Sequence, residues 1–115
     1  MSANLREQWP KLVMIAKMKR QQSRKDLCEY FASDTNFLRA IREIMKNVVQ
    51  SKIPLSRSEI RKLFPLKRSL LYLTKKTLHT PEYRKRFKQV GGAIALPILL
   101  PRIAHVLGLL YKTIA

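Results

Sequence analysis

FKQVGGAIALPILLP, residues 87–101, is where the chain changes character. Up to Lys88 it is dense in Lys and Arg, and beyond Gly92 it is almost wholly apolar. The stretch is either a core element against which basic helices bury their leucines, or the start of a lipid-seeking segment joined to a basic body. The glycine pair between the halves has a plain use as a helix terminator, because glycine takes positive φ at a helix end without steric cost. A boundary there divides the chain into an N-terminal helical extension over residues 1–34, a basic helical domain over 35–90, and a Gly-Gly hinge with an apolar segment over 91–115.

Downstream of the pair, Ile103, Val106, Leu107, Leu110 and Tyr111 fall on one helical face, after an apolar run containing Ile94, Leu96, Ile98, Leu99 and Leu100. Residues 90–111 approach the length that crosses a bilayer, but Pro97, Pro101, Arg102 and His105 lie inside, and a central charge costs at least about 2.5 kcal/mol. A helix lying in the membrane interface or against a partner suits these ten side chains better, with Arg102 and Lys112 at headgroup level. Burial of the same segment in a core is the other reading.

Upstream, the charge is the dominant fact. The 115 residues carry 24 Lys and Arg against 7 Asp and Glu, a formal net charge of +17. It concentrates in the middle: residues 52–90 hold 12 basic and 2 acidic residues. Self-repulsion of that size opposes compaction unless a polyanion neutralises it, so a nucleic acid or an anionic membrane is expected as partner. The single cysteine, Cys28, forms no internal disulfide and reads as a small apolar residue in a reducing compartment. No secretory leader is expected, since the first apolar run, residues 12–16, is short and flanked by charges.

The elements read as helices throughout, giving an all-α fold of several short amphipathic helices and a hydrophobic C-terminal helical segment. Leu5, Trp9, Leu12, Val13, Ile15 and Ala16 recur at helical spacing, with a helix expected over residues 11–22 and Pro10 disturbing its start. Trp9 reads as a packing residue. KMKRQQSRKD is a solvated helix end or a linker, followed by a short apolar LCEYF. Ser33 or Asp34 caps the strongest helix, whose stripe is Phe37, Leu38, Ile41, Ile44, Met45, Val48 and Val49. Ser56 and Glu59 have capping-box spacing before a helix over 57–64. Pro65 closes it and opens LKRSLLYLTKK, where Leu66, Leu70, Leu73 and Leu71 share a face. Thr80-Pro81-Glu82 places a capping hydroxyl, a proline and an acid at the start of a short basic helix. The leucine faces are many for so small a chain, and self-association follows as an expectation.

Chemistry of other kinds finds little support. His79 and His105 are the only histidines, the acids are scattered, and no GxxxxGK loop or metal-ligand spacing occurs. No enzyme, metal or cofactor is expected. The basic pairs and triplets are instead suited to phosphates, and the candidate contacts are Arg57, Arg61, Lys62, Lys67, Arg68, Lys75, Lys76, Arg84, Lys85, Arg86 and Lys88. Neutralising phosphates releases counterions, which gives strong, salt-sensitive binding without base reading.

Residues 36–101, with NVVQSKIPLS, RKL, LKRSLLYL, RKRFKQVGG and a Leu- and Pro-rich end, resemble a family of short basic proteins encoded by Polinton/Maverick elements and the adenovirus-like adintoviruses. Members look like the adenovirus precursor of the core peptide mu, also called protein X, and share with protein VI a basic body joined to a lipophilic segment. The resemblance implies a virion protein that condenses double-stranded DNA, meets the genome in the host nucleus during assembly, and contacts a membrane or capsid proteins. It also implies a maturation protease that cuts after a glycine pair; Gly91, Gly92 and Ala93 match that part of such a site, while Gln89 stands where a bulky apolar residue is usual. The alternatives are a membrane-active or minor capsid component and a basic subunit of a cellular ribonucleoprotein.

Overall fold

The computed structural model describes residues 2–50, 52–78 and 80–107, with only the backbone described for 106 and 107. Every regular element among them is helical, as the apolar periodicities require. They are α1 (Ala3–Lys17), α2 (Gln21–Phe31), α3 (Thr35–Val49), α4 (Arg57–Leu63), a 3₁₀ turn (Phe64–Leu66), α5 (Lys67–Lys75), α6 (Pro81–Arg86), a π-helical segment (Phe87–Ala95) and α7 (Leu96–Leu107).

The starts are set by side chains that satisfy the orphan N–H groups of a first turn. Ser2 accepts from the Leu5 N–H and Asp34 from the Asn36 N–H. Ser56 and Glu59 close a reciprocal box, the Glu59 N–H donating to Ser56 Oγ at 3.2 Å and the Ser56 N–H to Glu59 Oε1 at 2.7 Å. Thr80 accepts from the Tyr83 N–H ahead of Pro81.

Helix α1 runs straight through Pro10 rather than starting after it, because Leu5 and Trp9 extend the same buried stripe as Leu12, Val13 and Ala16. Of the stretch read as a solvated helix end or a linker, residues 21–26 join LCEYF in α2, whose Cys28 is fully buried. Helix α1 packs on α3 and α7, α3 on α5, and α2 along the π segment. One apolar core joins all of them, so the described residues of 2–34 and 91–104 are structural parts of the same body as those of 35–90.

The glycine pair does not end a helix. From residue 81 to 107 the backbone is continuously helical, with the π segment between two α-helical ends and the Leu96 N–H donating to the Gly91 carbonyl five residues back. Gly91 and Gly92 sit in its middle and are buried. A Cβ on Gly92 would lie 1.9 Å from Cys28 Sγ, and one on Gly91 would lie 3.0 Å from Phe87 Cδ1 and 3.1 Å from Leu73 Cδ1. Gly92 is there because α2 crosses too closely for a side chain, and Gly91 because Phe87 and Leu73 already crowd its position, packing reasons that a terminal position would not supply.

The apolar segment is correspondingly interior. Leu96, Leu99, Leu100 and Ile103 are fully buried against the stripe of α1, whereas Ile94 and Ile98 are half-buried. The lipid-facing alternative needs these side chains at the surface, and the partner surface supplied by residues 5–16 removes that need. No helix among the described residues is long and apolar enough to cross a membrane. Leu110 and Tyr111 lie outside the described residues, as do the side chains of Val106 and Leu107.

Candidate nucleic-acid interface

The cations fall into two groups. In the first, basic side chains hold the fold. Arg24 donates through Nε to the Ala93 carbonyl at 2.7 Å and through its terminal nitrogen to the Met18 carbonyl at 2.7 Å. Arg24 thus ties the α1–α2 turn to the π segment. Arg102 meets Glu59 at 2.9 Å, Lys88 meets Glu29 at 3.2 Å, Arg86 meets Glu82 at 3.2 Å, and Lys11 meets Asp34 at 3.6 Å. The Arg102 hydrogen bond, joined by the Ser56 N–H, holds the Glu59 carboxyl down at about 2.

The second group has no such work. Arg57, Arg61, Lys62, Lys67, Arg68, Lys75, Lys76, Arg84 and Lys85 are all exposed, and no carboxylate among the described residues lies within ion-pair distance of them. Of the sequence candidates only Arg86 and Lys88 are half-buried and paired. Arg86 also lies over the Tyr72 ring at 4.5 Å, which fixes α6 alongside α5. The buried Tyr83 hydroxyl donates to the Leu73 carbonyl at 2.6 Å and strengthens the same junction; its burial pushes its pKa up to about 12.

Two hollows gather cations. One, of about 300 Å³, is lined by Arg42, Lys75, Lys76, Thr77 and Leu78. Arg42 is held in it by a hydrogen bond to the Lys76 carbonyl and by the Tyr83 ring at 5.9 Å. The other, of about 480 Å³, brings Arg84, Lys85 and Lys88 opposite Ala32, Ser33 and Glu29 at the end of α2. Arg57, Arg61 and Lys62 line neither; they stand along α4. Arg42 was not among the sequence candidates, because on α3 it reads as one more charge on a polar face and only the return of α5 and α6 brings it to Lys75 and Lys76.

Two other sequence features are placed by the structure. Burial pushes the Cys28 thiol up to about 12, so it packs as an apolar group and carries no thiolate at neutral pH. Gly91, Gly92 and Ala93 are inside a helix and buried, and the folded chain does not offer them as the exposed segment that proteolysis favours. Compared with known proteins, the chain matches no family model, no curated protein and no solved structure.

Proposed function

We propose that the protein binds double-stranded DNA along its phosphate backbone, without reading sequence, and condenses a genome inside a virion. The observation that supports this reading is the set of exposed cations on α4, α5 and α6 with no ion-pair partner among the described residues, while Glu29, Asp34, Glu59 and Glu82 are already paired with other cations. A fold that leaves so many like charges bare carries their repulsion, and a polyanion relieves it while releasing its own counterions. The two basic hollows fit single phosphates, and the exposed arginines of α4 supply further contacts between them. Sequence blindness is expected because these exposed Lys and Arg side chains engage phosphates, which position a protein on the duplex and carry no base identity. The virion setting rests on the resemblance of residues 36–101 to the short basic proteins of Polinton and adintovirus elements.

Binding of the intact chain to duplexes of unrelated sequence, over a series of salt concentrations, tests the proposal. Affinities equal within about threefold across sequences and a steep linear fall of log K with log salt are expected. Failure to retain duplex DNA at low salt, or a strong preference for one sequence, contradicts it.

A further inference from the structure

One apolar groove is left open beside the basic surface. Val48, Val49, Leu55, Ile60, Leu63 and Phe64 line it, closed on the α5 side by Leu70 and Leu71, with a volume of about 190 Å³. Its rim is unusually bare: Phe64 is 69% exposed, Ile60 50% and Val49 42%, and the first two stand one helical turn apart. Contiguous exposed apolar surface of this kind on a small soluble body marks a contact site. The volume is near that of the roughly 150 Å³ dry cavity that holds a benzene ring, so the groove takes one large side chain.

The charge around it selects the partner. Arg57 and Arg61 share the α4 face of Ile60 and Phe64, Lys67 lines the α5 wall, and Lys46 stands one turn before Val49. All four are exposed, and no acidic side chain lines the groove. A second copy of this chain would set the same four cations against one another, and duplex DNA has no apolar knob to fill the space. We infer that the groove receives an amphipathic helix of a partner protein, one that inserts a large apolar residue between α3, α4 and α5 and aligns Glu or Asp with Lys46, Arg57, Arg61 and Lys67. The site stands whether or not the remaining cations hold DNA, because its anchor is Phe64 and Ile60.

The test uses the full chain and a synthetic helical peptide of about four turns, with Phe and Leu on one side and Glu on the other. Its companion has the same charge with the apolar residues replaced by Ala. Methyl resonances of Ile60, Leu63 and Leu70 should shift with the first peptide, and the companion should bind at least about tenfold more weakly. Phe64→Ala and Ile60→Ser, both at exposed positions that leave folding intact, should each weaken the first peptide by about tenfold and leave duplex DNA affinity unchanged. Equal binding of the two peptides, or indifference to both substitutions, overturns the inference. So does concentration-dependent dimerisation that shifts the same methyls without peptide, or preferential shifting of them by a single-stranded thymidine oligonucleotide.

Discussion

The crossing of α2 over the π segment and the α4–α5 limb use the same residue types to opposite ends. At the crossing, Gly92 brings no side chain so that the helices touch, and Arg24 spends its donors on backbone carbonyls. On the limb, arginines and lysines are exposed with no ion-pair partner among the described residues, and Phe64 lies bare. The contrast teaches that net charge alone does not locate function in a basic protein. What separates a structural cation from one available to a partner is whether the fold already gives it an acceptor.

The largest effect that sharpens this contrast is expected at Gly92. Inside an ordinary helix Gly→Ala gains about 0.5–1 kcal/mol. Here the new methyl overlaps Cys28 Sγ, and Gly92→Ala should cost about 2 kcal/mol in chemical denaturation, a value typical of overpacked cores. Cys28→Ala in the same chain removes the sulfur and should restore most of that loss. A stabilised Gly92→Ala protein would mean that the crossing is looser than described.

Next comes Arg24→Met, which keeps the apolar stem and removes the charged donors to Ala93 and Met18. A loss of about 1.5 kcal/mol is expected, at the lower end for hydrogen bonds from a charged group at a partly buried site. Arg24→Lys should recover only part of it, since an ammonium lacks the fork that reaches both carbonyls.

How much of this was legible in the sequence depends on whether the signal was local. The caps at Asp34, Ser56 and Thr80 and the stripe of α3 rest on residues two to four apart, and they are present as read from Phe37 to Met45, while Val48 is half-buried and Val49 exposed. Gly91-Gly92 was misread as a terminator because the reasons for it are distant in sequence: Cys28 for Gly92, more than sixty positions away, and Leu73 beside Phe87 for Gly91. The burial of Leu96, Leu99, Leu100 and Ile103 was left open for the same cause: their partner is α1, at the other end of the chain. Nothing local pointed to Arg24, because its acceptor at Ala93 belongs to a segment far along the chain. The exposure of nine of the eleven basic candidates, by contrast, was readable because it is the default for charged residues, whereas the pairing of Arg86 and Lys88 was not.

The smallest effect is expected at the joint between α4 and α7. Glu59 is held at about 2 when folded against an ordinary 4.5, so its contribution is present above pH 4.5 and is lost as pH falls through about 2. Glu59→Gln should lower stability at pH 6 by about 1 kcal/mol, the usual scale of a cap, and should flatten the acid limb of the stability curve. An unchanged acid limb would leave the Arg102 contact as a surface pair of little consequence.

The division into holding and available cations is tested most directly by the salt dependence of duplex binding, measured for the intact chain and for a variant with Arg61, Lys62, Lys67 and Arg68 replaced by serine. Stability should be unchanged or slightly raised as repulsion falls, while the slope of log K against log salt becomes shallower by about 0.9 for each phosphate contact removed. A variant that loses stability yet keeps the full slope would contradict the account, because those side chains would then be holding the fold and the DNA would be held elsewhere.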